Sequence, residues 1–172
     1  MITDKGAERK VYGSWREFFP DMLFVLRNNI QLLRVYTGGL SPALRERLMV
    51  AAATVYGCRF CSWFHTREAL RVGVDKEELA SLVEGVMEGC PEEYSIAVLY
   101  AQHWAESNAH PAPETVHRLE ETYGREKAKL VNVVLRPIRL ILFVEGLGVP
   151  FSIASHLADG ETEKIRSNIW IS

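Results

Sequence analysis

This 172-residue sequence lacks strand signals: no convincing stretch alternates apolar and polar residues, and two-residue hairpin turns are missing. An all-α fold is therefore expected. Charge of one sign is also scarce. Twenty Lys and Arg against 22 Asp and Glu leave a net charge of −2, without the basic footprint of a nucleic-acid binder. No apolar run is membrane-length. The most apolar one, Leu130 to Val144, spans 15 residues and is interrupted by Asn132, Arg136, Pro137 and Arg139, where a span needs about 20. The N-terminus, MITDKGAERKVYG, carries charges throughout and has no apolar core of the kind a secretory signal requires. With 12 glycines and 7 prolines, low complexity is excluded. The length suits a single domain over 1–172, with a core at about 14–158 and a polar tail at 159–172.

Cysteine is scarce too, and informative for it. Three is an odd number, and two of the three sit three residues apart. That suits a reducing compartment with a special thiol pair better than a secreted disulfide scaffold, so a cytoplasmic location is expected.

The chain punctuates itself into helices. Ser14 with Glu17 forms a capping box, Pro20 marks the start of a second helix carrying the apolar run Met22 to Tyr36, and Thr37-Gly38-Gly39 makes a turn. Ser41 then Pro42 reads as an N-cap and first helical position for a helix to Tyr56, whose Ala51, Ala52 and Ala53 permit close helix approach. After Gly57 a helix runs from about Cys58 to Arg71 and ends before Gly73. Asp75 with Glu78 is a second capping pattern, for a helix to about Glu88, and Pro91 starts the next, to about Ser107. Helices at 113–123 and 125–145, the latter kinked at Pro137, and a last helical stretch at 151–158 complete the reading.

The chemistry concentrates in Cys58-Arg59-Phe60-Cys61-Ser62-Trp63-Phe64-His65. On a helix, residues three apart share a face and their Cα atoms lie roughly 5 Å apart, within reach of a disulfide. The pair lies in the first turn, where the peptide dipoles favour thiolate. His65 follows Cys61 by one turn on the same stripe, placed to exchange a proton with sulfur. Glu46 lies twelve residues before Cys58. A helical hairpin about Gly57 brings it to within about 4–5 Å of the level of His65, with its facing left open. Other readings of these residues stand beside this one. Cys58, Cys61, His65 and Glu46 make four candidate zinc ligands, although structural zinc rarely takes a carboxylate. Two buried cysteines also pack as small hydrophobes, and Glu46, between Arg45 and Arg47, reads by default as a solvated charge.

A Glu, eleven residues, Cys-x-x-Cys, three residues and a His resembles the alkylhydroperoxidase D-like (AhpD-like) branch of the carboxymuconolactone decarboxylase family, and the likeness runs through residues 41–88. The resemblance implies the all-α AhpD-like fold in homotrimers or hexamers. It implies reduction of a hydroperoxide substrate by catalytic Cys61 and resolving Cys58, with Glu46 and His65 relaying protons. An external dithiol, a lipoyl adaptor or a thioredoxin-like protein, would then reduce the disulfide. No bound cofactor, metal, nucleic acid or membrane is implied. One departure is plain: where the family's peroxidase prototype has a His just before the second cysteine, this chain has Phe60. Cys58, nearer the helix start, is expected to be the more accessible thiol. A disulfide reductase, a redox-sensing oligomeric module and a carboxymuconolactone decarboxylase-type lyase are the alternatives.

The remaining candidates are weaker. Cys90 reads as an inert thiol. His103, His110 and His117 read as surface or interface residues, His156 as uncommitted, and Arg136 and Arg139 as structurally paired. Phe18, Phe19, Trp63 and Phe64 read as core or subunit-contact residues, with Trp63 and Phe64 also placed to line an apolar entrance beside the thiols.

Overall fold

A computed structural model describes residues 15–146. Among them are eight α-helices and no strand: α1 (Trp15–Arg27), α2 (Asn29–Arg34), α3 (Pro42–Tyr56), α4 (Arg59–Arg71), α5 (Lys76–Val83), α6 (Glu92–Glu106), α7 (Pro113–Tyr123) and α8 (Arg125–Gly146). The expected all-α class is what the chain adopts. Ser14, the stretch at 151–158, His156 and the polar tail lie outside the described residues. No helix among those described is long and apolar enough to cross a membrane.

Helix α3 is the axis of the fold, packing against α4, α5, α6 and α8. The Ser41 hydroxyl accepts from the Leu44 N–H (3.2 Å) to start it, and Gly57, in the left-handed conformation at φ 70°, ends it. Between these caps Leu44, Leu48, Val50, Ala51, Ala52 and Ala53 are fully buried. The alanines admit α6, whose Ala97, Ala101 and Ala105 are equally buried, and Trp104 of α6 meets Tyr56 edge-on at 6.4 Å. A second lock is ionic. Arg47 of α3 donates twice to Glu78 of α5, from Nε (2.6 Å) and Nη2 (2.7 Å), in a buried bidentate pair, while its guanidinium lies 4.8 Å over the Tyr94 ring of α6.

Several boundaries differ from the sequence reading. Pro20 starts no helix; α1 runs through it. Pro20 and Arg16 are both exposed, so water can serve the Arg16 carbonyl that the proline leaves without a donor. The break falls at Asn28, whose side-chain amide donates to the Phe24 carbonyl (2.8 Å). Helix α5 stops at Val83 rather than near Glu88, because Gly85 turns the chain at φ 82°. Only half of its capping box forms: Asp75 accepts from the N–H groups of Glu77 (3.0 Å) and Glu78 (3.2 Å), but the Glu78 carboxylate is spent on Arg47. Helix α8 continues through Pro137, and Asp21 of α1 pairs with both Arg136 and Arg139, the structural pairing expected of these arginines.

Candidate functional site

The α3–α4 hairpin builds the site. After Gly57, the Cys58 N–H donates to the Ala53 carbonyl (3.1 Å), which turns the start of α4 back onto α3. Cys58 is the N-cap of α4, and its Sγ accepts from the Cys61 N–H (3.1 Å). The two cysteines form a disulfide with a Cα–Cα separation of 5.3 Å, close to the helical expectation. Accessibility departs from expectation: Cys58 is 0 % exposed and Cys61 2 %. The turn at Gly57 folds the first turn of α4 inward, so Cys58 is not the more accessible thiol.

The hairpin also settles the facing of Glu46. His65 Nδ1 donates to Glu46 Oε2 at 2.7 Å, and Arg45 Nε donates to Glu46 Oε1 at 2.8 Å. Each carboxylate oxygen thus has its own cationic or titratable partner, and Glu46 is buried rather than solvated. Burial opposes ionisation of this carboxyl, but the bonds from His65 and Arg45 outweigh it and hold its pKa below the ordinary value of 4.5. An ionised Glu46 accepts from Nδ1–H of His65, which leaves the lone pair of a neutral ring on Nε2. Arg45 in turn lies 4.6 Å over the ring of Tyr36. Sequence reasoning treated Arg45 as a sign of solvent and missed it as the second partner of Glu46. Neighbours on a helix normally diverge, so spacing carried no signal for it.

Aromatic rings flank the pair. Phe60 lies 5.8 Å from Trp63 and 6.2 Å from Phe64, and Phe64 meets the His65 ring edge-on at 5.1 Å. Phe64 is 42 % exposed, and Arg67 lies 5.7 Å from the Trp63 ring. In place of a second histidine, this chain continues an apolar wall.

The outlying candidates fall elsewhere. Cys90 is half-buried; burial first, then the charge of Glu78, push its thiol up to about 11, so it stays protonated and a poor nucleophile at neutral pH. His103 is partly buried: its Nε2 accepts from the Ala112 N–H (3.2 Å) and braces the loop between α6 and α7. His110 is exposed and bonds the Asn108 carbonyl (2.9 Å), and His117 pairs with Glu121 (3.2 Å) on the surface. Among the described residues no group of three or more His, Cys, Asp and Glu is arranged to hold a metal ion. Glu46 and His65 instead bind each other, and the cysteines bind each other.

Residues 24–105 match the model of the carboxymuconolactone decarboxylase family. This segment, from the end of α1 through α6, is thus similar to that family, the one the motif resembles. Neither a search of curated proteins nor one of solved structures found a match.

Proposed function

We propose that this chain is a thiol-dependent hydroperoxide reductase acting on organic hydroperoxides. The observation that carries the reading is the disulfide-forming pair in the first turn of α4 with an oriented imidazole, His65 on Glu46, one turn further along. The helix start favours the thiolate of Cys61, and His65 Nε2 takes its proton. The thiolate attacks the terminal peroxide oxygen; the S–O bond forms, the O–O bond breaks, and the alkoxide leaves as alcohol with the proton from His65. Sulfur, oxidised by two electrons, is now a sulfenic acid. The Cys58 thiol displaces its hydroxyl as water and closes the disulfide. An external dithiol reopens it by exchange, and no bound cofactor enters the cycle. A reducing compartment such as the cytoplasm keeps such a donor reduced.

The enclosure of both sulfurs favours a small peroxide group over a protein disulfide as substrate, and a slim dithiol such as a lipoyl arm over a folded thioredoxin-like donor. The Phe60–Trp63–Phe64 wall favours an apolar body on the peroxide. A lactone-decarboxylase reaction has no need of the thiol pair. The test is turnover of cumene hydroperoxide against hydrogen peroxide, with dihydrolipoamide and thioredoxin as donors side by side. We expect many turnovers, fastest with cumene hydroperoxide and dihydrolipoamide. Cys61→Ser should abolish the reaction; Cys58→Ser should react once and leave a trappable sulfenic acid. His65→Ala should lose about 10²–10⁴-fold in rate. One equivalent consumed and no more by the wild type would replace this reading with a redox sensor. Oxidation blocked by Cys58→Ser but not by Cys61→Ser would reverse the two roles.

A further inference from the structure

The Cys58–Cys61 disulfide can be reopened at either sulfur, and its two ends have different surroundings. Thiol–disulfide exchange is a displacement in which the attacking sulfur enters opposite the leaving one, in line with the bond. Cys58 and Cys61 lie about one turn apart along α4, so that line runs roughly along the helix. An attacker on Cys58 has to enter from the Gly57 end. That end is closed: the Cys58 N–H donates to the Ala53 carbonyl (3.1 Å), and Ala53 and Tyr56 of α3 are buried. An attacker on Cys61 enters from the next turn, where Phe64 is exposed and the His65 side chain is 12 % exposed. The two sulfurs also differ as leaving groups. Cys58 is the N-cap of a 13-residue helix, and its Sγ accepts from the Cys61 N–H (3.1 Å). A thiolate released there meets an N–H donor and the positive end of the helix at once, and a better-stabilised thiolate leaves faster.

We propose that the reducing dithiol attacks Cys61 and expels Cys58, entering past Phe64 and His65 from the same side as the peroxide. The proposal rests on the reading above in taking a slim dithiol as the reductant. In the first step a donor thiolate bonds to Cys61 Sγ, the Cys58–Cys61 bond breaks, and its electron pair stays on Cys58 as thiolate. In the second, the donor's other thiolate attacks the donor sulfur of the mixed disulfide and closes the donor's own disulfide. Cys61 leaves as thiolate. The two protons of the donor pass to the two cysteines, the one for Cys61 by way of His65 Nε2. The donor loses two electrons and the protein disulfide gains them. Cys61 is thus the sulfur that meets both outside reactants, and Cys58 meets neither. Complete burial of Cys58 is no obstacle to a role confined to attacking Cys61 and leaving it. With one side serving both reactants, the alcohol product has to clear before the donor can enter.

Peptide mapping of the oxidised full chain after brief exposure to mercaptoethanol tests this. The reaction is stopped with acid, the freed thiol is blocked with N-ethylmaleimide, and trypsin, cutting after Arg59, puts Cys58 and Cys61 on separate peptides. The mercaptoethanol adduct should sit on Cys61 and the maleimide on Cys58, exceeding the opposite pattern by about tenfold or more. The opposite pattern, or an even division, overturns the proposal. Should the adduct close again too fast to be isolated, Cys58→Ser and Cys61→Ser take its place, both carrying Cys90→Ser and each loaded with a nitrothiobenzoate chromophore on its one cysteine. Dihydrolipoamide should release the chromophore from Cys61 about tenfold faster than from Cys58. Equal rates, or faster release from Cys58, overturn the proposal as well. Neither assay contains peroxide. A Cys61 adduct in a protein without peroxide turnover would therefore keep this proposal and remove only the peroxidase reading.

Discussion

Glu46 and Glu78 are both buried carboxylates bonded to side chains of α3 or α4, and their neighbourhoods differ in one respect. Glu78 gives both oxygens to Arg47, a permanent cation, in a bidentate pair. Glu46 divides its oxygens between a permanent cation, Arg45, and an imidazole, His65. The first arrangement has one useful protonation state and fastens α5 to α3. The second keeps a carboxylate charged while orienting an imidazole. Adjacent residues on one helix thus differ in what they hold, Arg47 fastening α5 and Glu46 orienting His65.

The largest effect should come from breaking the scaffold pair. Arg47→Leu leaves Glu78 buried without its cation, an arrangement that typically costs about 3–5 kcal/mol. Urea unfolding should show that loss, and Arg47→Leu/Glu78→Leu should recover most of it, since apolar replacement of a whole buried pair is often neutral. A single variant as stable as wild type would remove Arg47–Glu78 from the scaffold.

The matching change at the site should show chiefly in rate. Glu46→Gln keeps the shape and one acceptor for His65 Nδ1–H but removes the charge that steadies an imidazolium. The peroxide reaction should slow by about 10²-fold, at the low end of general-base contributions. The loss should be greatest at neutral pH and shrink at high pH, where the thiol ionises unaided. A stopped-flow pH profile reads both. An unchanged rate and profile would end the relay at His65 and leave Glu46 a structural anion.

The difference between these two carboxylates was only half legible in the sequence. Caps and helix order were readable, because Ser41-Pro42, Gly57 and Asp75 act locally. So was the stripe of Cys58, Cys61 and His65, since one helix fixes it. Glu46 was reachable by counting along a hairpin, but its facing depended on how α4 turns after Gly57, which is tertiary. Flanked by Arg45 and Arg47, Glu46 read by default as a solvated charge. The burial of Arg47 depends on a partner 31 residues away, Glu78, and the placement of Arg45 on a ring in the turn before the helix, Tyr36. Accessibility of Cys58 failed for the same reason: position at a helix start predicts exposure only when nothing packs beneath it. Pro20 shows the reverse error, a strong local breaker tolerated because its side of α1 faces water.

The smallest effect separates the two partners of Glu46. Burial alone would raise its carboxyl pKa; His65 first and Arg45 next pull it below 4.5. A carboxyl with a folded value below its unfolded one binds fewer protons in the folded state across that window. Its contribution to stability is therefore complete above about pH 4.5 and is lost as pH falls through the folded value. Arg45→Gln takes away one of the two opposing pulls, so the folded value should rise towards the ordinary one. Stability of the variant, followed by urea unfolding from neutral pH down through pH 4.5, should then fall less steeply on the acid side than that of the wild type. The rate at neutral pH should change far less than in Glu46→Gln, since His65 still finds an ionised carboxylate there. An acid slope equal to that of the wild type would mean that His65 alone holds Glu46 charged. Arg45 would then serve only to anchor the Tyr36 ring in the turn before α3.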